Sequence, residues 1–233
     1  MKIASKSILQ NICGNTEDLN QVSENIFMNK VLEEIYSLKG FMPVHEGTAL
    51  MKWCSEFCTS NPVLEIGSFC GKSAHLIAYA LQGNNQKVFT IDHHLGSEEH
   101  QADQEYFDPE IYDENLKLVN TLPIFLKNLE SQNLTSEIIP LIGKSKEIAK
   151  TWNRKLGLLF IDGGHAFETA LQDYNSWKQH IAEGGVLVFH DIYEDPTLGG
   201  LAPYKVMQES LKEGFRVIDR EDTIVCLQKI TSP

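Results

Sequence analysis

The chain is expected to fold as a doubly wound α/β protein, and three observations carry that expectation. From Pro62 onward, short apolar runs alternate with amphipathic segments, the pattern of a mostly parallel sheet covered by helices on both faces. One run, Leu156–Asp162, is apolar almost throughout, as strands buried on both faces are. The stretch Val-Leu-Glu-Ile-Gly-Ser-Phe-Cys-Gly-Lys-Ser over residues 63–73 joins a strand to a helix through Gly67 and Gly71. Such a turn lets backbone approach a ligand at a helix N-terminus.

The elements follow in order. Residues 1–60 read as helical and form an N-terminal lid or extension, ahead of a main domain at 61–233. Phe27, Val31 and Ile35 recur every four residues, and Leu50, Trp53, Cys54 and Phe57 repeat the pattern. Gly40 and Pro43 break the two segments apart. Val63–Ile66 is the first strand, Ser73–Leu81 a helix and Lys87–Asp92 the second strand. A polar, acidic stretch from His93 to about Asn115 has little periodicity. Helix Leu122–Gln132, strand Ile138–Ile142, short helix Lys144–Trp152 and strand Leu156–Asp162 come next. Phe167, Leu171, Tyr174 and Ile181 mark a further helix, and Gly184 with Gly185 turns into strand Val186–His190. Phe215–Asp219 and Thr223–Gln228 read as a C-terminal hairpin, which completes seven strands. Ligands of such sheets bind at the carboxyl ends of the strands. The polar residues there are Glu65, Asp92, Asp162, His190 and Asp191.

Composition narrows the field. A chain of 233 residues with 42% hydrophobic and 22% charged residues builds an ordinary globular core. The net charge of −12 argues against nucleic acid and anionic membranes as partners. Cys13, Cys54, Cys58, Cys70 and Cys226 are odd in number and irregularly spaced, so no disulfide framework is expected. Cys54 and Cys58 read as buried thiols, since no second pair follows them to complete a metal site. No apolar run follows Lys2 and Lys6, so a signal peptide is not expected, and a reducing cytoplasm is the expected location.

The glycine loop has three candidate readings. A phosphate loop needs four residues between its glycines before Lys-Ser/Thr, and only three separate Gly67 from Gly71. A dinucleotide loop needs a middle glycine, which is missing here. An acidic residue ends the next strand at Asp92, where a carboxylate accepts hydrogen bonds from a free ribose. Residues 63–73 together with Asp92 resemble the first two motifs of class I S-adenosylmethionine-dependent methyltransferases. Glu-Ile-Gly-Ser-Phe-Cys-Gly-Lys-Ser is close to the catechol O-methyltransferase-like branch. Phe160–Asp191, with its Asp-Gly-Gly-His and Gly-Gly-Val-Leu-Val-Phe-His-Asp, resembles macrolide sugar O-methyltransferases and cephalosporin-hydroxylase-like proteins.

The resemblance implies a Rossmann-like fold over residues 60–195 and roles for individual residues. Glu65, Gly67, Ser68, Phe69 and Ser73 would surround the methionine part of S-adenosylmethionine, Asp92 would hold the ribose, and Gly143, Lys144 and Ser145 would lie near the adenine, with Gly71 and His93 also counted among the cofactor-binding residues. Core packing stays an alternative for Phe69, and capping of a nearby helix for Glu65.

A second cluster is Asp162, His165, His190 and Asp191, at the ends of two strands. Carboxylates and imidazoles converging at a strand-end crevice suit a divalent metal, and in related O-methyltransferases Mg2+ activates and orients the acceptor hydroxyl. Resemblance places Asp162 and Asp191 on the metal, with Asp162 also counted among the cofactor-binding and catalytic residues. The catechol-type Asn after the second Asp is Ile192 here, so His190 is the alternative third ligand. His165 matches a general base, with helix capping as the other reading. Cys70 reads as a packing residue. The run from Asp92 to His100 looks like a metal box but reads equally as a solvated loop. With Pro196–Tyr204 it would border the acceptor pocket.

The expected activity is O-methylation of a small-molecule hydroxyl by a homodimeric enzyme whose N-terminal helices serve as lid or dimer surface. Two rivals stay open. One is a non-haem iron oxygenase using His165, Asp162 and His190; the other is a cofactor-binding protein without catalysis.

Overall fold

A seven-stranded sheet runs in the order β5-β2-β1-β6-β7-β9-β8. Its strands are β1 (Val63–Ile66), β2 (Val88–Asp92), β5 (Ile138–Ile142), β6 (Leu156–Ile161), β7 (Ile181–Phe189), β8 (Phe215–Glu221) and β9 (Ile224–Lys229). The computed structural model describes residues 29–230 apart from 98, 99, 102, 103, 105, 106 and 165. Contacts divide the chain into two units, Met1–Leu38 and Lys39–Pro233. The described part of the first is a helix over 29–36; Phe27 lies outside the described residues. All that follows concerns the second.

The five strands β5, β2, β1, β6 and β7 pair in parallel, and β9 and β8 add antiparallel to the β7 edge. From β1 the chain winds outward to β2 and β5, then crosses to β6 on the other side of β1. The switch point between β1 and β6 opens a crevice at the strand carboxyl ends.

The helices are α1 (Val44–Phe57), α2 (Lys72–Ala80), α3 (Leu122–Ser131), α4 (Ser145–Ala149), α5 (Phe167–Trp177) and α6 (Ala202–Lys212). Side chains alternate across the strands, and each face meets its own helices. Leu64, Ile66, Leu159, Ile161, Leu187 and Phe189 pack against Tyr174, Trp177, Val206 and Met207 of α5 and α6. On the other face lies α1, which touches α2, β6, β7, β8 and β9 and buries Leu50, Trp53 and Cys54. The α1 helix thus belongs to the same compact unit as the sheet. Each large side chain so buried contributes roughly 1.5–3 kcal/mol.

Three local expectations change. Gly184 and Gly185 do not precede the strand; they form a bulge inside β7, which begins at Ile181. The pairing jumps from Leu156↔Ile181 to Leu158↔Val186, with Gly184 at φ +74°, a geometry glycine takes without strain. Ile181 therefore belongs to a strand, not to the helix before it, because α5 ends at Trp177. The polar 93–115 stretch is also not wholly irregular. It ends in a small antiparallel ribbon, β3 (Tyr112–Asp113) with β4 (Leu118–Val119). Cys54, Cys58, Cys70 and Cys226 are buried free thiols; Cys13 lies outside the described residues. Among the described residues no helix is long and apolar enough to cross a membrane.

Candidate active site

A cavity of about 740 Å3 occupies the crevice at the β1–β6 switch point, within the size range of small-molecule and cofactor sites. On one side its wall is backbone. β1 leads into Gly67 at φ +95°, and a Cβ there would stand 2.0 Å from the carbonyl oxygen of Asp162. The glycine is demanded by the neighbouring strand end, not only by a ligand. Phe69, at φ +46°, and Gly71, at φ +94°, complete the turn into α2. Asp92 braces this loop: its Oδ2 accepts the Phe69 N–H at 2.9 Å and its Oδ1 the His94 N–H at 2.7 Å. Each oxygen keeps a second lone pair for a ligand.

Ser68, Phe69, Ser73, Asp92 and His93 line the cavity, as do Gly143, Lys144 and Ser145 beyond β5. Among the described residues, the buried Ser68 hydroxyl has no hydrogen-bond partner. Gly143 donates its N–H to the Asp92 carbonyl at 3.0 Å, which ties the β5 end to the β2 end. Lys72, the lysine of the discarded phosphate-loop reading, is half-buried and donates to the Gly40 carbonyl at 2.9 Å. Gly71 closes on protein: a Cβ would meet the Phe125 ring at 3.1 Å.

Glu65 sits deeper than the resemblance implies. It is fully buried and is not among the residues lining the cavity. Burial pushes its carboxyl up to about 8; the nearby Ser73 hydroxyl offsets this in part, and the charges of Asp162 and Asp92 add to it. Neither oxygen makes a well-formed hydrogen bond among the described residues. Burial likewise raises the Cys70 thiol to about 12, which suits a packing role.

On the other side of the cavity the wall is built from side chains. The N–H of Asp162 bonds to the Ile66 carbonyl at 2.9 Å and that of His190 to the Ile161 carbonyl at 3.2 Å, so β6 and β7 end level with β1. His190 Nδ1 lies 3.0 Å from Asp162 Oδ1 and 3.3 Å from Asp191 Oδ2. Asp162, His190 and Asp191 each offer one ligand atom, all within 4.8 Å of one another. The far nitrogen, Nε2, is 2.8 Å from Glu46 Oε2. Burial alone would lower the His190 pKa; Asp162, Asp191 and Glu46 outweigh it and raise it. Ile192 is a core residue, so no ligand stands where the catechol-type Asn does. His165 lies outside the described residues, while Gly163, Gly164 and Thr169 on either side of it line the cavity.

Among the described residues, the histidines after Asp92 do not gather into a metal-ligating group. His94 is buried, with Nδ1 2.8 Å from the Thr121 hydroxyl. His93 is exposed and accepts the Leu95 N–H at 3.0 Å. His100 stacks on Phe69 with ring centroids 5.5 Å apart, and Phe41 leans on Phe69 at 5.7 Å. The loop borders the cavity as expected, through His93, Gly96, Ser97 and His100. Pro196–Tyr204 does not: among the described residues the cavity wall ends at Tyr193. The cause is close packing, since a Cβ at Gly199 would stand 2.3 Å from the Tyr193 ring, which therefore lies between that segment and the cavity.

Two site residues escape the sequence reading. Asp173 of α5 is buried on the cavity wall beside Ser145, and burial raises it to about 6 against the Ser145 hydrogen bond. Glu46 of α1 is the other. Its signal is present in the sequence: with Leu50, Trp53 and Cys54 it falls on one helical stripe, a carboxylate in an apolar face.

Solved structures share this architecture at low identity. The O-methyltransferase NovP superposes with a TM-score of 0.61 at 16% identity, covering 81% of this chain and 81% of that one. The S-adenosylhomocysteine-bound methyltransferase PaMTH1 of Podospora anserina gives 0.63 at 12% identity, covering 99% and 100%. The O-methyltransferase TomG of Streptomyces achromogenes, in complex with S-adenosylmethionine, gives 0.59 at 12% identity, covering 90% and 96%. These likenesses show the fold. A family model described as a methyltransferase domain matches residues 64–192, more than half of the chain and the same span that builds both walls of the cavity. By that match the chain belongs to the methyltransferase-domain family, and it is a class I S-adenosylmethionine-dependent methyltransferase.

Proposed function

We propose that the chain methylates a hydroxyl oxygen of a small molecule, with a divalent ion held by Asp162, Asp191 and His190. The observation that carries this reading is the convergence of these three ligand atoms at the cavity that Asp92 and the 67–73 loop also line. Two carboxylates and an imidazole are a donor set that divalent ions accept. The residues also fit the cofactor. Asp92 keeps lone pairs for ribose hydroxyls, and Ser68, whose buried hydroxyl has no hydrogen-bond partner among the described residues, lines the same cavity.

When bound, S-adenosylmethionine supplies an electrophilic methyl on sulfur, and a divalent ion lowers the pKa of the acceptor hydroxyl. The chain supplies alignment and a place for the proton. Asp92 and the loop hold the donor end at β1 and β2, while Asp162 and Asp191 hold the acceptor oxygen end at β6 and β7. Transfer forms the carbon–oxygen bond as the carbon–sulfur bond breaks, and the hydroxyl proton passes to His165 as base. Holding donor and acceptor in line is the main contribution of the protein to such a displacement.

Calorimetry with S-adenosylhomocysteine, NAD and ATP, run side by side, tests the cofactor. Saturable heat with the first alone is expected, and binding of NAD or ATP instead would sink the reading. With a panel of hydroxyl acceptors, Asp162→Ala should lose at least a hundredfold in turnover while S-adenosylhomocysteine affinity stays within a few-fold. Full turnover by the native chain in chelator would remove the ion. Oxygen uptake by the iron-loaded chain would favour the oxygenase instead.

A further inference from the structure

Glu46 lies in the first turn of α1, among the apolar residues by which that helix packs, and is 1% exposed. A carboxylate in such a place costs free energy unless it is fully paired. Both of its oxygens are engaged. Oε1 accepts the backbone N–H of Thr223 at 2.8 Å and the Thr223 hydroxyl at 2.6 Å. Oε2 is 2.8 Å from His190 Nε2. Thr223 sits in the tight connection between β8 and β9, so one side chain joins α1, the C-terminal hairpin and the end of β7.

These bonds also decide which nitrogen of His190 faces the cavity. With Nε2 donating to Glu46, Nδ1 is the ring atom directed at Asp162 Oδ1 and Asp191 Oδ2. Histidines that serve metal ions are oriented in this manner, by a carboxylate on the remote nitrogen. Nothing in the catalytic scheme above uses Glu46, and it touches neither the cavity nor the reacting atoms.

We propose that Glu46 is a positioning residue: by pairing with His190 Nε2 it fixes the ring so that Nδ1 is the atom that meets the Asp162–Asp191 pair. The inference rests on the reading of that pair as the acceptor and ion site. Thr223 acts one step further back, by fixing which oxygen of Glu46 meets the ring.

Glu46→Gln is the informative substitution, because it keeps the shape and changes the donors. The two Thr223 donors hold the amide oxygen of the new side chain. Its NH2 group then faces Nε2, which must accept and so gives up its proton, leaving the ring protonated on Nδ1 alone, against Asp162 and Asp191. In 15N-labelled protein, long-range proton–nitrogen spectra should show the Nε2 proton of His190 in the native chain and its loss in Glu46→Gln. Calorimetry with Mn2+ alone should give an affinity at least tenfold weaker in the variant, with S-adenosylhomocysteine affinity changed less than twofold. Turnover should fall while KM for the acceptor holds. A native His190 without a proton on Nε2 overturns the proposal with no variant needed, as does a Glu46→Gln protein that keeps both the Nε2 proton and the Mn2+ affinity. Native protein that carries the Nε2 proton yet binds no Mn2+ would retire the ion while supporting the role of Glu46.

Discussion

At the β1–β2 end of the cavity, the groups that face the ligand are held by backbone, and the partners lie close in the chain: Phe69 and Asp92 are 23 residues apart. At the β6–β7 end, the corresponding groups are side chains, and their supports come from far away. Glu46 and His190 are 144 residues apart, and Glu46 and Thr223 are 177 apart. The first end is therefore settled once two adjacent strands pair. The second needs α1, the hairpin and the sheet all in place. Substitutions at the first end should act on folding and cofactor affinity. Those at the second should act on turnover in a protein that still folds.

The strongest test of this contrast is Gly67→Ala. The added methyl would stand 2.0 Å from the Asp162 carbonyl oxygen at a φ of +95°, and no flexible side chain is there to yield. The expected cost is on the order of 3 kcal/mol or more, seen as lost soluble protein or a collapsed urea midpoint. A well-folded Gly67→Ala protein would break the comparison, since the backbone end would then tolerate what it is argued to forbid.

Next in size is Glu65→Gln. The native carboxyl titrates near 8 when folded, against a usual 4.5. An acid whose pKa is raised by folding destabilises the fold as pH climbs from about 4.5 towards 8. In the absence of cofactor the variant should gain on the order of a few kcal/mol over native protein at pH 8 and little at pH 5. Urea midpoints at the two pH values read this directly, and equal gains at both would show that the buried carboxyl is not the cause.

The smallest expected change sharpens the division. Asp92→Ala removes the acceptor of two loop amides and, on the proposed reading, the ribose partner with it, so S-adenosylhomocysteine should bind about tenfold weaker or worse. Unchanged calorimetric affinity would show that the loop holds its shape and its ligand without Asp92.

The same contrast explains what could be read from the sequence. The sheet was legible because buried parallel strands such as Leu156–Ile161 are apolar without interruption. The 67–73 turn is legible because backbone that must take φ near +95° writes a glycine at a fixed place. Asp162, His190 and Asp191 could be named, since strand ends point at the crevice. Their supports could not, because a hydrogen bond between α1 and the end of β7 leaves no spacing behind it. Glu46 left only a charge in an apolar stripe. The three histidines after Asp92 show the converse error: neighbours in sequence, they point to a hydroxyl, to their own turn and to an aromatic stack. The β7 bulge is hidden for a related reason, since a Gly-Gly pair marks a turn and a bulge alike.

The contact between Gly67 and the Asp162 carbonyl has one more consequence. Because the 67–73 loop and the end of β6 touch through backbone with no side chain between them, they share a single datum, like two jaws cut from one block. Changing the substrate cannot be done by widening the gap there. On the proposed reading it falls to lining residues outside the sheet, such as Phe41, His100 and Tyr193. A lineage diversifying this enzyme would then keep its gauge constant and exchange only what is clamped in it.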